Sequence, residues 1–402
     1  MSSIIKSPHQ MVIEQSLLNI IHNYFSDATK LELDCIKIKN YFEPILKKYG
    51  YREENKNNRQ NILICHGSAI GDFIVMSVYV NAIRKKNPDA FITLFCNKTV
   101  KGLLNYISNI IDEVITFEYV ETLVTVERIA KYTEANVKKL LKRKYDVVYL
   151  PDARSVNLLS AYLSGAKCIC GRIQTMVGLK HYEVLYNKTS NYHMKTALES
   201  YMYMLDETDK STWQYYILDP KDQLSEKTNT ITIGVGGMLA HKHLAADIWI
   251  KVIQLILDCY PNVKFQLLAG NDMIDLANKI ENNTDSNRVT NFVGKLSIYE
   301  SLVKAANSDL VISNDTCVAH MAAAASVPVI IIYSCFIHPI KDYWNVFSKA
   351  PSFQLLPPKL LECSNCDCSN GDNLKRCIKR VTADQIYDEF QRFTKEHLII
   401  FE

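Results

Sequence analysis

Three short stretches of the chain carry residue types suited to holding a phosphate-bearing ligand. The first is His66-Gly-Ser-Ala-Ile-Gly-Asp72. Gly67 and Gly71 let the backbone approach a ligand closely. Asp72 stands at the mouth of the next helix, where its carboxylate faces a ligand bound at the strand's end or simply caps the helix. The loop is neither a Walker A motif nor a G-x-G-x-x-G fingerprint. The second stretch is Ser313-Asn-Asp-Thr-Cys-Val-Ala-His320, leading into Met321-Ala-Ala-Ala-Ala325. A helix starting here offers the free N–H groups of Cys317 and Val318 and its positive dipole end to an anion. Asp315 and Thr316 occupy the cap region, and the Thr316 hydroxyl adds a donor. His320, on an apolar helix, reads either as a ligand of the same anion or as a buried structural imidazole. The third stretch is Gly234-Val-Gly-Gly-Met-Leu-Ala-His-Lys-His243. Gly236 and Gly237 expose backbone donors, Lys242 supplies one mobile cation, and His241 and His243 flank it, a combination that suits a diphosphate.

The elements around these stretches are short apolar runs alternating with helical patterns. Ile62–Cys65, Phe91–Phe95, Val114–Phe117 and Val147–Leu150 read as buried strands, with helices over Phe73–Lys86 and Glu127–Lys144. After a polar region over 184–229, the alternation restarts. Strands fall at Thr230–Val235, Phe265–Ala269, Val289–Phe292, Leu310–Ser313 and Val329–Tyr333, with helices over 247–260, 274–280, 298–306 and 316–325. All three stretches then lie at carboxyl ends of strands, where doubly wound sheets bind ligands. The expected organisation is a helical N-terminal extension and linker (1–60), a first Rossmann-like domain (61–225) and a second (226–382). A last helix in 383–402 could cross back to the first domain, and the ligand would sit in the cleft between domains.

Composition narrows the function. The chain has 402 residues, 48% hydrophobic and 22% charged, with 46 Lys+Arg against 43 Asp+Glu. That near balance gives no broad basic footprint, so nucleic acid is not an expected partner. No apolar stretch is long enough to span a membrane and no signal peptide is legible, so a cytoplasmic location is expected. Eight of the 12 cysteines are scattered or lie in apolar runs. The other four cluster at Cys363, Cys366, Cys368 and Cys377, and four thiolates can hold structural zinc or iron.

Taken together and in order, these pieces resemble glycosyltransferase family 9, the bacterial heptosyltransferase family. The matching residues are Ile62–Asp72, Ala82-Ile-Arg84 and Asn87-Pro-Asp-Ala90, then Lys242, Trp249 and the Gly270 that ends Phe265–Gly270. Asn291–Lys295, Asp309–Thr316, His320–Ala324 and Val327-Pro-Val329 complete them, so the likeness covers about 61–390. It implies an α/β protein of the GT-B fold, two Rossmann-like domains facing a central cleft. The implied activity is inverting, metal-independent transfer of a sugar from a nucleotide donor, ADP-heptose, onto a lipopolysaccharide or related surface-glycan acceptor.

Within that resemblance Asp72 is the general base. Gly71, Lys242, Asp315, Thr316, Cys317, Val318 and His320 bind the donor, with Gly236, Gly237, His241 and His243 as further candidates. The sequence has no Asp-x-Asp pair of the kind that holds a metal–diphosphate, so no catalytic cofactor is expected. The cysteine cluster resembles a C-terminal feature of the family. Two departures stand out: Cys317 replaces the family's glycine, and Ser334-Cys-Phe-Ile-His-Pro339 replaces its Gly-x-Thr stretch. Two other readings stay open, an epimerase-type enzyme of nucleotide sugars and a degenerate member that binds nucleotide without turnover. A lipid-linked acceptor would bring peripheral contact with the inner membrane, for which the basic run Lys138–Lys144 is the candidate surface.

Overall fold

Runs of branched apolar residues form two sheets whose strands alternate their side chains between two helical layers. The structure, a computed structural model, describes residues 8–26, 33–48, 59–66, 69–118, 125–151, 155–172, 179–190, 196–223, 227–237, 239–334, 346–359 and 376–401. A two-residue β1 (Leu33–Asp34) pairs with β7 (Leu179–Lys180). The first large sheet contains β2 (Asn61–His66), β3 (Phe91–Asn97), β4 (Glu113–Phe117), β5 (Val147–Leu150), β6 (Cys168–Arg172) and β8 (Lys188–Ser190). The second contains β9 (Thr230–Gly234), β10 (Lys264–Leu268), β11 (Val289–Asn291), β12 (Leu310–Asn314), β13 (Val329–Ile332) and β14 (Ser352–Leu355).

Every pairing in the two large sheets is parallel. The spatial orders are β4-β3-β2-β5-β6-β8 and β11-β10-β9-β12-β13-β14. Numbered within each sheet, both read 3-2-1-4-5-6, the Rossmann order, with the chain reversing direction between strands 1 and 4. That reversal opens a crevice at the carboxyl ends of β2 and β5 in one sheet and of β9 and β12 in the other.

The helices are α1 (Pro8–Ser26), α2 (Cys35–Lys48), α3 (Ile70–Lys86), α4 (Val126–Leu140), α5 (Ser155–Leu163), α6 (Ala197–Tyr203), α7 (Ala246–Cys259), α8 (Ile274–Glu281), α9 (Ile298–Ala306), α10 (Cys317–Ala324) and α11 (Ala383–Glu396). Three apolar clusters bind them to the sheets. Leu63, Cys65, Val148 and Ile169 face outward under α1, α2, α4 and α5. The N-terminal helices thus form part of the first domain's own core, with Leu17, Ile21, Ile38 and Phe42 fully buried there. Ile231, Ile233, Phe265 and Ile312 face outward under α7, α8 and α11. The third cluster is shared: Ile62, Ile64 and Leu94 of the first sheet and Val311 and Ile331 of the second join through α3, α6, α9 and α10.

One expectation is corrected. Helix α11 buries Ile386, Phe390 and Phe393 against the second domain, beside Val252, Ile256 and Phe265, and does not dock on the first. Its apolar stripe finds a face of its own sheet left open beside α7, so a crossing would expose that core. The 184–229 region also holds more structure than its polar composition suggested: β8, α6 and a connection that buries Trp213 and Ile217 between the domains. There the Tyr215 hydroxyl donates to the Phe347 carbonyl at 2.8 Å, and Asn81 Nδ2 to the Gln214 carbonyl at 3.3 Å. Across the same interface Tyr106 and Tyr299 stack with their planes 4° apart.

The basic run at the end of α4, Lys138–Lys144, is largely occupied. Lys139 donates to the Thr116 carbonyl at 2.7 Å, Leu140 and Leu141 are buried, and Arg143 lies 3.7 Å from the centre of the Phe91 ring and meets Glu113. Two exposed lysines, Lys138 and Lys142, make a thin surface for anionic lipid. Among the described residues no helix is long and apolar enough to cross a membrane.

Candidate active site

Asp72 lies in the first turn of α3, directly after the crevice end of β2. Its Oδ2 accepts the backbone N–H of Ala69 at 3.2 Å, so from the third helical position it satisfies the N–H of the N-cap residue. Its side chain is half-buried and not turned into the core. Gly67 and Ser68, the rest of the expected loop, lie outside the described residues.

Gly71 ties this turn to the second domain. A Cβ built on it would come within 2.8 Å of His320 Cδ2 and 3.5 Å of the Cys317 Cα. Only a residue without a side chain lets α3 and α10 approach this closely. The backbone at Gly71, one residue before Asp72, therefore lies against the start of α10 on the other domain. Gly71→Ala is expected to destabilise the fold by about 1–3 kcal/mol by wedging the helices apart. Denaturant midpoints compared at unchanged m-value would measure it.

On the second domain β12 ends in Asn314, and Thr316 caps α10. Thr316 Oγ1 accepts the Val318 N–H at 3.4 Å and lies 3.2 Å from Ser313 Oγ. The hydroxyl therefore begins in the cap, already engaged with one of the two amides expected to face a phosphate. Burial pushes the Cys317 thiol up to about 11, Asp272 adds to the rise, and the N–H groups of Cys317 and Val318 act against it. At neutral pH this is a thiol lying at the start of the helix, with no negative charge to repel an anion.

Lys242 reaches this helix from the loop after β9. Its Nζ donates to Asp315 Oδ2 at 2.6 Å and to the Asp315 carbonyl at 3.1 Å. Lys and Asp side chains are 22% and 10% exposed, so the pair is largely desolvated and its geometry is held. Asp315 thus appears as the residue that aims Lys242. His243 Nε2 is bonded to the Gly237 carbonyl and steadies the loop. His241 is half-buried beside it. The glycines there serve close packing: a Cβ on Gly237 would meet Thr316 Cγ2 at 2.8 Å, and one on Gly236 would overlap the Met273 side chain. The loop is pressed onto both the cap of α10 and the turn after β10.

Of that turn, Gly270-Asn-Asp-Met273, the sequence reading names only Gly270 and misses Asp272. Asp272 is exposed there and close enough to act electrostatically on Cys317. The signal that could have found it is an acidic residue at the carboxyl end of the second strand of a Rossmann unit, the usual partner of a ribose diol.

His320 is 5% exposed, packed beneath Gly71, and its Nδ1 has no hydrogen-bond partner among the described residues. Burial lowers it from 6.5 to about 4, with Asp315 raising and Lys242 lowering it further. It is a neutral imidazole in the interdomain contact. The unfolded chain takes up this proton first as pH falls, so the stability linked to it is complete above 6.5. It is lost between 6.5 and about 4, by up to roughly 3 kcal/mol. Thermal unfolding between pH 7 and 4 is expected to fall more steeply for the native chain than for His320→Gln.

Of the four clustered cysteines, Cys363, Cys366 and Cys368 lie outside the described residues, as does most of the Ser334–Pro339 stretch. Cys377 is buried, and Arg380 Nη2 approaches its sulfur at 3.1 Å.

A profile of glycosyltransferase family 9 (heptosyltransferase) matches residues 134–347. A search of curated protein sequences returns no match. Solved structures with the same architecture include a family 9 glycosyltransferase from Veillonella parvula, with TM-score 0.63 and 14% identity over 84% of this chain and 97% of that one. The E. coli ADP-heptose LPS heptosyltransferase II gives 0.62 and 14% over 84% and 99%. E. coli heptosyltransferase WaaC with ADP-2-deoxy-2-fluoro heptose gives 0.61 and 15% over 83% and 99%. At such identity the likeness speaks for the fold, two facing Rossmann-like domains.

Proposed function

This chain belongs to glycosyltransferase family 9, and from that premise we propose that it transfers heptose from ADP-heptose to a hydroxyl of a lipopolysaccharide or related surface glycan, with inversion and without a catalytic metal. The observation that supports this reading is the close approach of Gly71, the residue before Asp72, to His320 and the Cys317 backbone at the start of the other domain's helix α10. Solved relatives hold ADP or an ADP-heptose analogue, which supports the donor class.

In this reading the diphosphate settles at the start of α10. Lys242 and the amides of Cys317 and Val318 meet the negative charge that grows on the leaving phosphate oxygen. Thr316 exchanges its cap bond for the ligand, and Asp315 keeps Lys242 in place. Asp272 accepts from the ribose hydroxyls. Asp72 takes the proton of the acceptor hydroxyl as its oxygen attacks the anomeric carbon opposite the departing diphosphate, which inverts that centre. Gly236 and Gly237 serve by letting the Lys242 loop lie flat on the cap.

A thermal-shift panel of ADP-heptose and UDP-, GDP- and CDP-linked sugars tests the donor. A folded-state ligand raises the melting point according to its affinity and concentration. ADP-heptose is expected to give the largest shift; an equal response to all four, or a larger one to another base, would overturn the assignment.

A further inference from the structure

Among the described residues the chain passes from the first domain to the second once, between α6 and β9. That connection is held from both sides. On the first domain, Asn81 Nδ2 of α3 donates to the Gln214 carbonyl at 3.3 Å, and Ser77 Oγ accepts the Tyr216 N–H at 3.4 Å. On the second, Asn307 Nδ2 donates to the Asp222 carbonyl at 2.9 Å, and Gln223 Nε2 donates to the Ala325 carbonyl at 2.8 Å. Between these clamps lie Ile217 and Leu218, which make no hydrogen bond among the described residues. Both pack into the apolar cluster that the domains share. Apolar contact has no preferred direction, whereas a hydrogen bond is lost on misalignment, so rotation is easiest at these two residues.

Tyr299, on α9 of the second domain, joins the connection to the first domain. Its hydroxyl donates to Asp222 Oδ2 at 2.6 Å and accepts the Asp219 N–H at 3.3 Å, just beyond the unclamped pair. Burial, and then the Asp222 carboxylate, push that hydroxyl up and keep it a donor. Its ring lies flat against Tyr106, which belongs to the helical turn Lys98–Ile107 of the first domain. An aromatic pair of this kind holds more firmly than its buried area alone accounts for. A second strut spans the unclamped pair, from the Tyr215 hydroxyl to the Phe347 carbonyl.

We propose that Ile217-Leu218 is the pivot on which the two domains part, and that Tyr299 is the latch, its hydroxyl on the connection and its ring on the first domain. Parting about this pivot separates the Gly71 turn from the start of α10, where the proposed function seats the diphosphate. Only that consequence rests on the proposed function; the pivot and the latch rest on the contacts.

Hydrogen exchange of the full-length chain without nucleotide, read by mass spectrometry, tests this. In the native chain, peptides carrying 70–75, 214–223 and 316–322 are expected to share one opening, about tenfold or more faster than that of strands β2 and β9. Tyr106→Ala removes the stacked ring, and Tyr299→Phe keeps the ring but releases the connection. Each is expected to raise exchange at 70–75 and 316–322 by about fivefold, with β2 and β9 unchanged. If those peptides open only together with the strands in the native chain, the proposal is overturned, whether or not either variant folds. Unchanged exchange at the contact in folded variants would also overturn it, as would an equal rise in the strands, the mark of a merely supporting role. Because no nucleotide is present, the outcome is separate from that of the donor panel.

Discussion

Asp72→Asn is expected to lower the rate of sugar transfer by about 10²–10⁴-fold, the usual contribution of a positioned general base. Asparagine has the same shape and keeps an oxygen for the Ala69 N–H, so the first turn of α3 is preserved. Melting temperature and ADP affinity should therefore stay close to native while kcat falls. That separation matters because Asp72 has two jobs open to it. A merely structural carboxylate would show its loss in stability, and a catalytic one in turnover alone. Transfer that survives in the Asn variant at near-native rate would remove Asp72 from the mechanism, whatever happens to the fold.

Lys242→Met is expected to act on both stability and binding, and a second substitution separates them. Removing the ammonium leaves the Asp315 carboxylate, 10% exposed, without its partner at 2.6 Å. Breaking a desolvated pair from one side costs about 3–5 kcal/mol when fully buried, and the partial exposure here puts the expected loss near 2–3 kcal/mol. ADP affinity should drop by about 10–100-fold through loss of a charge-assisted bond to phosphate. Adding Asp315→Asn removes the stranded charge, so the double variant should regain most of the stability and none of the affinity. Calorimetric titration with ADP and denaturant unfolding on the native chain and these two variants would check both. Recovery of affinity in the double variant would mean that Lys242 only shapes the loop.

The two halves of this result have different origins. Strands and helices around the crevice were legible because parallel strands buried on both faces are uninterrupted apolar runs, and because the amphipathic helices between them keep their period: β2, β9 and β12 and helices α7 and α9 all fall where the pattern put them. The strands β6, β8 and β14 were not, since Cys168-Ile-Cys-Gly-Arg172, Lys188-Thr-Ser190 and Ser352-Phe-Gln-Leu355 mix polar residues and glycine into the run and are recruited by the neighbours they pair with. Helix α11 was recognised as a helix and given the wrong neighbour, because an apolar stripe states that it needs a partner but not which one.

The same division runs through the site. Local chemistry marked Asp72, Lys242, Thr316 and the glycines, because each lies at a strand's carboxyl end with a residue type suited to anions or protons. What lay beyond sequence was their mutual aim. Gly71 presses on His320 across some 250 positions of chain, Asp315 turns to Lys242, and Asp272 comes near Cys317. Side-chain identity and period are local properties and survive in a one-dimensional string. Contact between residues far apart in the chain is set by how two sheets share one apolar cluster, and that becomes definite only when the domains pack.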